Sequence, residues 1–521
     1  MPRWLIITGL VGSALLTLFF SAYTQSSRSA AEISPLTSPG LTAQSPLLAP
    51  ILVTGLDSPL LMPTAIPTIF PPIRKATDRQ LPKITHDLVF VNEEGLQLWN
   101  HATGTIETLV GLQATRSRAT VNQPVALYLG SGPAVGSVWR VSTSVDARKI
   151  ALLRFGGVVN HREQFDLDFY DLPTRSRITL LAKTSPLVDM ALAPNGEWIA
   201  YILRDAPPIA HRSPGLAAPI FHPNAEDGPE SSVVYLMQTK APFQPIQIGT
   251  YTETRAAQLL WSPDSREVLW TDGLGVWKAK REENSAQLIA RHQIPENGFS
   301  VRIYTPDTMS PTGRYAHLWI HHFEGSSQGV LDTETGEVLE IPNTFEYVRP
   351  NARTTWLDDG RLFVTRPGSI MGSIAPAIEL WSLHSNRALR LELDEVVTIP
   401  VGVANFPTAP MWLADGRLAF ALLNTSATNY RERGFYSLDL RRQQFRYLNS
   451  VPPSAVSDSE QEAGKYYANI DWVPDGTGAI FEDQDLDLLL YVPLDGSAPY
   501  DLKPIFGLGP REFVWLSNPN P

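Results

Sequence analysis

The sequence predicts an all-β protein, a β-propeller of eight four-stranded blades, with seven blades as the alternative. Two observations lead to this prediction. A five-residue turn motif recurs eight times after residue 140, with steps of 43 to 69 residues between equivalent positions. One unit of four strands needs about 40 to 50 residues. Strand-like apolar segments follow the turns, and the region after residue 83 has no convincing amphipathic helix, so that repeated sheets are expected around a central channel.

Each copy of the motif combines an apolar residue, a spacer, often a proline, and a turn pair, and an apolar strand follows. The copies occupy residues 143–147, 192–196, 261–265, 309–313, 356–360, 412–416, 472–476 and 515–519. Asn-Gly and Asp-Gly pairs allow the positive φ angles of a tight hairpin. The first and last copies are the weakest, and the count falls to seven if segment 137–155 lies outside the ring.

The two ends of the repeat region complement each other. The C-terminal strand-like segment 513–517 carries the last turn motif, and no further strand follows it. Near the start, three strand-like segments at 88–92, 96–100 and 106–110 have no such motif before them. We therefore expect one blade to combine three N-terminal strands with one C-terminal strand, because closure removes unpaired sheet edges.

The repeats, with Trp-Ser-Pro-Asp at 261–264 and Trp-Val-Pro-Asp-Gly at 472–476, resemble the propeller of TolB-type proteins. They resemble WD-repeat propellers and the propeller of dipeptidyl peptidase IV more distantly. The resemblance covers about residues 84–521 and implies the fold rather than an activity. TolB-type proteins carry an α/β domain before the propeller, whereas a proline-rich segment stands here. Peptidase relatives carry a hydrolase domain that this sequence is not expected to contain.

The N-terminal residues 1–30 predict a signal peptide or a signal anchor. Arg3 is the only charged residue before residue 28, and a 17-residue apolar run follows at 4–20. That length is the lower limit for a membrane-spanning helix, so that both cleavage and anchoring stay open. The expected location is extracytoplasmic: secreted, periplasmic, or anchored to the outer face of the cytoplasmic membrane.

Residues 31–83 predict a linker. Ten prolines lie between residues 33 and 83, and only six residues there are charged. Proline breaks both helices and sheet ladders, so the segment is expected to be an extended spacer. A spacer behind an apolar N-terminus is typical of a stalk and favours the uncleaved anchor. The propeller domain is predicted at 84–521.

Composition excludes several classes of function. The chain has 521 residues, 42 Lys and Arg against 53 Asp and Glu, a net charge of −11 and no basic block. Such a charge distribution offers no basic segment that would bind the phosphates of a nucleic acid. The absence of cysteine excludes disulfides, thiolate metal sites and a cysteine nucleophile. The motifs indicate no cofactor and no metal, and we expect a monomer whose only membrane contact is through its N-terminal segment.

Two short motifs partly match patterns of catalytic or metal-binding sites. Residues 325–329 match the nucleophile elbow G-x-S-x-G, with His321 and His322 upstream. The elbow requires a strand-to-helix turn, so a loop within a blade is the favoured interpretation. The acidic residues Asp483, Asp485 and Asp487 begin like a calcium loop. The pattern requires Gly and Glu further on, and Leu488 and Leu494 stand there instead, which leaves at most weak cation binding.

The paired histidines and the tryptophans and arginines that recur in the repeats are expected to be structural rather than functional residues. The adjacent His321 and His322 are expected on opposite faces of a strand and cannot chelate one ion together. Tryptophans at equivalent repeat positions are expected to pack between blades: Trp261, Trp356, Trp412, Trp472 and Trp515. Arginines that follow the turns are expected at solvated hairpin edges: Arg148, Arg266, Arg314, Arg361 and Arg417.

The distribution of long connections predicts the binding face. With the strands of a blade lettered A to D from the channel outward, the B–C and D–A connections share one face of a propeller. The long connections fall on that face, at 111–134, 156–164, 205–231, 366–375, 424–432 and 450–466. Long loops on a rigid scaffold concentrate binding residues. The predicted binding residues are His211, Arg212, Phe221, His222, Tyr430, Arg431 and Arg433.

These features favour a non-enzymatic scaffold of the cell envelope that binds a protein, a small molecule or a glycan. The alternative is a propeller enzyme of hydrolase or lyase type with its site near the central channel, and a third interpretation is a sensor whose partner is a separate protein. No residue pattern in the sequence indicates a catalytic group.

Overall fold

The computed structural model describes most of the repeat region. The described residues are 73–75, 84–92, 94–111, 138–159, 162–184, 187–204, 231–252, 258–295, 300–323, 325–345, 355–366, 377–385, 390–400, 405–413, 416–424, 434–439, 444–450, 468–483, 488–507 and 513–516. All of them belong to one compact unit, Leu60–Pro521.

Their strands form eight sheets, which are antiparallel apart from one added parallel strand described below. Four short strands precede blade 1 in the chain: β1 (Arg74–Lys75), β2 (Leu88–Asn92), β3 (Gly95–Trp99) and β4 (Ile106–Gly111). Blade 1 contains β5 (Val138–Thr143), β6 (Lys149–Val159), β7 (Arg162–Asp171) and β8 (Ser176–Thr184). Blade 2 contains β9 (Leu187–Leu192), β10 (Trp198–Arg204), β11 (Ser231–Gln238) and β12 (Ile246–Thr252). Blade 3 contains β13 (Leu260–Trp261), β14 (Glu267–Thr271), β15 (Gly275–Lys280) and β16 (Ala286–Arg291). Blade 4 contains β17 (Ile303–Met309), β18 (Tyr315–His321), β19 (Ser326–Asp332) and β20 (Val338–Glu340).

The second half of the ring repeats the same unit. Blade 5 contains β21 (Thr355–Asp358), β22 (Arg361–Arg366), β23 (Ala377–Ser385) and β24 (Leu391–Pro400). Blade 6 contains β25 (Asn405–Trp412), β26 (Leu418–Asn424), β27 (Gly434–Asp439) and β28 (Gln444–Asn449). Blade 7 contains β29 (Ala468–Trp472), β30 (Gly478–Asp483), β31 (Leu488–Pro493) and β32 (Tyr500–Asp501). A short helix α1 (Lys503–Phe506) leads to β33 (Phe513–Trp515), which completes blade 8 with β2, β3 and β4.

The prediction of an eight-bladed all-β propeller is therefore confirmed. Segment 137–155, on which the count depended, contributes β5 and most of β6 to blade 1 within its described part. The first strand of each unit is the inner one, since β9 contacts both β5 and β13, and β25 contacts both β21 and β29. Middle strands such as β18 and β19 are buried along nearly their whole length because neighbouring blades cover both faces.

Blade 8 closes the ring as the sequence predicted. Strand β33 pairs antiparallel with β2, and Trp515 stands opposite Leu88 in the register. Helix α1 fills the junction between blades 7 and 8, where the ring of Phe506 packs 4.7 Å from that of Phe90 and 6.1 Å from that of Phe513. One blade thus holds both ends of the repeat region together.

The turn motifs also link neighbouring blades. The backbone N–H of Val145 donates to the Pro194 carbonyl at 2.9 Å, and the N–H of Asn195 donates to the Ser265 hydroxyl at 3.0 Å. The N–H of Thr312 donates to Asp359 Oδ1 at 2.8 Å. These three motifs therefore shape their own hairpins and each supply a lateral hydrogen bond to the motif of the next blade.

The tryptophans of the motif pack between blades, as the repeat position indicated. The indole of Trp412 lies 5.3 Å from the Phe363 ring of blade 5, and that of Trp472 lies 5.6 Å from the Phe435 ring of blade 6. Trp261 adds a hydrogen bond of 2.9 Å from its Nε1 to the carbonyl of Ala191 in blade 2. Among the arginines that follow the turns, Arg266 is mostly exposed and Arg361 pairs with Asp358 at 2.6 Å.

Part of the predicted linker 31–83 adds a fifth strand to blade 7. Strand β1 pairs parallel with β32, with Arg74 opposite Tyr500. The N–H of Arg74 donates to the Pro499 carbonyl at 2.8 Å, and its guanidinium lies 5.9 Å from the centre of the Tyr500 ring. A short piece of this segment is thus fixed to the outer edge of the propeller.

One expected long connection is wrong. Residues 156–164 were expected to form a loop, but β6 continues to Val159 and β7 begins at Arg162. The pairing continues from Phe155 opposite Phe165 to Val159 opposite Arg162, with an irregularity at Gly156. The glycine pair at 156–157 indicated a loop, whereas backbone pairing extends the hairpin through it.

Ring closure predicts a measurable effect of the last strand. Deleting residues 512–521 removes β33, exposes the edge of β2 and uncovers Phe90 and Phe506, so that the melting temperature of the full chain should fall by many degrees. Deleting only residues 517–521 leaves β33 and Leu516 in place and is the matched control. An unchanged melting temperature in the longer truncation, measured by circular dichroism, would contradict the closure described above.

Candidate functional site

Exposed apolar side chains are concentrated at one face of the propeller. Among the described residues, six large hydrophobic side chains are exposed: Ile73, Val145, Leu274, Ile294, Phe323 and Phe345. Four of them lie in B–C or D–A connections of two consecutive blades, Leu274 and Ile294 in blade 3 and Phe323 and Phe345 in blade 4. Val145, in the A–B turn of blade 1, lies on the opposite face, and Ile73 precedes β1, which runs parallel to β32 from the C–D end of blade 7.

The tight B–C turn of blade 3 holds Leu274 at the surface. Asp272 Oδ1 accepts hydrogen bonds from the N–H groups of Leu274 at 2.8 Å and Gly275 at 3.2 Å. Glycine is required after the turn, since a Cβ at position 275 would lie 2.0 Å from the Ala290 carbonyl oxygen. The carbonyl of Leu274 also accepts a 2.9 Å hydrogen bond from the N–H of His292, so the turn is fixed against the end of β16.

His292 joins blade 3 to blade 4 two residues before Ile294. The backbone N–H of Tyr304 can only donate, and it lies 3.2 Å from His292 Nδ1, so this nitrogen accepts. The proton therefore resides on Nε2, which donates to the Asp272 carbonyl at 2.7 Å. Burial, the largest cause, lowers the pKa of His292, against the effect of that carbonyl. The neutral imidazole is the form that the fold requires.

A polar network lies between the apolar side chains of blade 4. The N–H of His322 donates to the Gly325 carbonyl at 2.7 Å and closes the turn that carries Phe323, and its ring lies 5.4 Å from that of Phe345. On the other side, Arg302 pairs with Glu340 Oε2 at 3.2 Å. The proximity of His322, above all, lowers the pKa of Glu340, against the effect of burial.

These contacts make a continuous surface across the two blades. The Leu274 carbonyl accepts a hydrogen bond from the His292 N–H, and Gln293 pairs with Arg302 by two backbone hydrogen bonds. The carboxylate of Glu340 lies within ion-pair distance of both Arg302 and His322. We call this the blade 3–4 surface. It consists of the exposed apolar residues Leu274, Ile294, Phe323 and Phe345 with the cations Arg291 and Arg302.

The G-x-S-x-G motif is part of this region and is not a nucleophile elbow. Residues 326–329 lie in strand β19 rather than in the expected loop, and that expectation is wrong. The Ser327 hydroxyl donates its proton to Glu340 Oε1 at 2.8 Å. His322 Nε2 lies 2.8 Å from Ser327 Oγ. Because the hydroxyl proton is already donated to Glu340, this nitrogen must donate to Ser327 Oγ and cannot act as its base. The buried hydroxyl of Ser327 has hydrogen-bond partners in His322 and Glu340. A segment rich in glycine and serine can therefore form a buried strand.

A second polar site lies at the same end of the channel-lining strands. The Asp189 carboxylate of β9 is buried, and Arg140 of β5 pairs with its Oδ1 at 2.6 Å. Backbone N–H groups of Met190 and Leu259 donate to it at 2.6 Å and 2.7 Å. Burial, the largest cause, raises the pKa of Asp189 to about 6, against the effect of Arg140 and the two N–H groups. This carboxylate joins blades 1, 2 and 3.

The side chains that the sequence singled out for binding lie outside the described residues: His211, Arg212, Phe221, His222, Tyr430, Arg431 and Arg433. The same holds for Asp485 and Asp487 and for the side chain of Asp483. No group of three or more His, Asp or Glu within the described ranges is placed to hold a metal ion. Helix α1 is a single turn, and no helix in the described part has the length and hydropathy to cross a membrane. The apolar run 4–20 lies outside that part.

Sequence reasoning missed the blade 3–4 surface. The signal that could have found it is an apolar residue inside a turn cluster, as in Asp-Gly-Leu-Gly at 272–275 and His-Phe-Glu-Gly at 322–325. A single apolar residue in a turn is common and carries little meaning. Its recurrence at equivalent connections of consecutive blades is the informative feature, and it becomes visible only once the strands are assigned.

Known structures resemble this chain at low sequence identity. No protein-family model matches the chain, and no curated protein matches it either. Many solved structures match, among them TolB from Acinetobacter baumannii, with 12% identity and a TM-score of 0.32 over 62% of this chain and 65% of that one. A puromycin-hydrolyzing peptidase from Mycobacterium tuberculosis matches with 14% identity and a TM-score of 0.34 over 66% of this chain and 49% of that one. Prolyl oligopeptidase B from Galerina marginata matches with 12% identity and a TM-score of 0.42 over 74% of this chain and 51% of that one.

The chain thus spans about two thirds of the TolB structure and half of each peptidase structure. The resemblance to TolB-type proteins that the repeats predicted is found again among solved structures, at the level of fold. The peptidase resemblance is found again in the same way.

His292 gives this region a pH dependence of known sign. Because its pKa is lowered in the folded protein, the unfolded chain binds the proton more readily, and stability falls as the pH drops below the ordinary histidine value of about 6.5. His292→Asn keeps an acceptor near the Tyr304 N–H but cannot titrate. The free energy of unfolding in urea should therefore fall more for the parent than for the variant between pH 7.5 and pH 5.5. Equal losses would show that His292 does not titrate as described.

Proposed function

We propose that this protein is a non-enzymatic scaffold outside the cytoplasm, which binds a partner on the B–C/D–A face of its propeller. One observation carries the proposal: four of the six exposed large hydrophobic side chains among the described residues lie on that face, in two consecutive blades. If the exposed apolar residues had no common function, they would be expected on both faces in similar numbers. Contiguous apolar surface on a soluble fold is typical of an interaction site.

The chemistry of the blade 3–4 surface suits recognition of a protein. Phe323 and Phe345 supply large apolar contact areas, and the network of Arg302, Glu340 and His322 lies beside them. Aromatic anchors surrounded by polar groups are the usual composition of a protein interface. The turns that carry Leu274 and Phe323 are fixed by backbone hydrogen bonds, so little ordering entropy is lost on binding.

The enzyme alternative stays a prediction from the sequence. Among the described residues, Arg140 and Asp189 form an ion pair on inner strands, and both carboxylate oxygens of Asp189 already accept hydrogen bonds. No specific observation in the described part favours a hydrolase or a lyase over a binding site.

The extracytoplasmic part of the proposal depends on the N-terminal sequence. Arg3 before the apolar run 4–20 supports export, and the proline-rich residues 31–83 suit a stalk that holds the propeller away from a membrane. The proposal favours the uncleaved anchor, and binding by the propeller does not depend on that choice.

The two faces can be compared directly by photocross-linking in the producing cell. A benzophenone amino acid is placed at Phe323 in the full chain, and Val145, 80% exposed against 70% for Phe323, is the matched position on the other face. Covalent adducts should form at position 323 and be absent at position 145. Adducts at 145 with none at 323 would place the binding face on the A–B side and contradict the proposal.

The state of the N-terminus is open to a separate measurement. The intact mass of the protein recovered from the cell envelope should correspond to the full chain, because the proposal favours an anchor. A mass that corresponds to loss of the first 20 to 30 residues would show a cleaved signal peptide and leave the binding surface unaffected.

A further inference from the structure

The contact between blades 3 and 4, which we call the blade 3–4 seam, ends in a group that can take up a proton. We infer that His292 is a proton-operated latch. Its neutral ring ties the B–C turn of blade 3 to the inner strand of blade 4, and a proton added to Nδ1 releases that tie. The latch lies within the blade 3–4 surface, so this inference adds regulation to the proposed function and rests on it for that consequence alone.

Most of the seam is apolar and cannot respond to acid. Its core consists of Leu269, Val276 and Ala290 of blade 3 with Tyr304, Ala316, Leu318, Ile320 and Leu331 of blade 4. Tyr304 is the only titratable residue in that cluster, and burial raises the pKa of its phenol further. At the B–C/D–A end of the seam, the contacts become polar.

The backbone of Tyr304 is bonded to blade 3 at that end. Strand β17 pairs with β18 on one side only, so backbone groups that point away from β18 need other partners. The N–H of Tyr304 donates to His292 Nδ1 at 3.2 Å, and its carbonyl accepts a hydrogen bond of 2.7 Å from the Thr271 hydroxyl. Both partners come from blade 3 or from the connection that follows it.

The same imidazole holds the other two segments of the surface. Its Nε2 donates to the Asp272 carbonyl at 2.7 Å, and the backbone N–H of His292 donates to the Leu274 carbonyl at 2.9 Å. The next residue, Gln293, forms two backbone hydrogen bonds with Arg302. One ring thus joins the turn that carries Leu274, the D–A connection of blade 3 and the inner strand of blade 4.

A second proton is incompatible with this arrangement. Nδ1 accepts through its lone pair, and a proton taken from water occupies that lone pair and gives the ring a charge of +1. Nδ1–H and the Tyr304 N–H are then two donors that face each other, and the hydrogen bond between them is lost. A buried N–H without an acceptor is costly, so the ring leaves and the end of the seam opens.

The surroundings favour the closed latch at neutral pH. Burial, the largest cause, lowers the pKa of His292, against the carbonyl and the charge of Asp272. Oδ1 of that carboxylate is already engaged by the N–H groups of Leu274 and Gly275. The latch therefore opens below the ordinary histidine pKa of about 6.5.

Other charged groups on the surrounding elements are engaged elsewhere or lie further away. The described ones are Arg291 at the end of β16, Arg302 paired with Glu340, Asp307 beside His317, and Glu267, Lys278 and Lys280 at the far end of blade 3.

Hydrogen exchange of the full chain at pH 7.5 and pH 5.0 tests the latch without any partner. Exchange times are matched so that an unprotected amide exchanges equally at both pH values. Protection of residues 290–294 and 301–305 should fall by about tenfold or more at pH 5.0, the effect of leaving one buried N–H without its acceptor. Protection of β26 in blade 6 should stay the same and show that the fold persists.

Two variants identify the responsible group. In His292→Asn, the amide oxygen can accept from the Tyr304 N–H at either pH, so protection should not change between pH 7.5 and pH 5.0. His384→Asn removes an exposed histidine that pairs with Glu392 in blade 5, and it should respond to acid as the parent does. Unchanged protection of the parent at pH 5.0, or an equal loss in His292→Asn, would overturn the latch.

The proton itself can be followed by nuclear magnetic resonance of the chain labelled with ¹⁵N in its histidine rings. The signal missing from His292→Asn belongs to His292. It should report the neutral ring with its proton on Nε2 at pH 7.5, and its titration midpoint should coincide with the loss of protection. A neutral ring protonated on Nδ1, or a midpoint far from that loss, would overturn the latch whatever the variants show.

The proposed function is judged separately by the cross-linking comparison. Failure of the latch in these measurements would leave the proposed binding face in place. Absence of adducts at position 323 would contradict that face and leave the latch as a property of the fold.

Discussion

The pairing of β33 with β2 is the constraint on which the rest of the structure depends. Middle strands of a blade, such as β18 and β19, are buried on both faces only because a neighbour covers each side. A ring of such sheets has no stable end unless its first and last strands join. The hydrogen bonds between β33 and β2, with Phe506 packed on Phe90, supply that joint. A closed ring then gives rigid connections at both ends, which is the condition for a preorganised binding surface.

The two faces of the ring differ in the use of their connections. On the A–B face, the turn motifs bond to each other from blade to blade, as Asn195 does to Ser265 and Thr312 to Asp359. The polar groups of these turns stabilise the ring because they connect neighbouring blades. On the other face, the bonds of Asp272 and His292 hold the backbone of a turn and leave Leu274 exposed. Exposed apolar area is unfavourable in a free protein. Four of the six large exposed apolar side chains among the described residues lie on the face that does not tie the turns together, and the proposed binding surface rests on that excess.

The sequence allowed the blades, their order and the closing strand to be predicted because each depends on local turn chemistry repeated at a long period. Gly196 and Gly476 adopt the positive φ that Asn-Gly and Asp-Gly turns require. The proposed binding surface was not predictable in the same way, since Leu274 and Phe323 differ from ordinary turn residues only in their three-dimensional neighbours. Residues 325–329 show the opposite error: glycine and serine indicated a loop, but His322, Glu340 and the pairing with β18 satisfy them within a strand. The predicted residues in the 205–231 connection and near Tyr430 stay predictions, because they lie outside the described part of the chain.

The central claim, that the B–C/D–A ends of blades 3 and 4 form the binding surface, is tested most directly by amide hydrogen exchange. The full chain is compared alone and with a saturating amount of a peptide selected from a random library for binding to it. The account predicts slower exchange at residues 271–276, 290–295 and 320–327, and no change in the A–B turns at 144–148, 193–197 and 262–266. Slower exchange in those A–B turns, with the three segments of blades 3 and 4 unchanged, would contradict it.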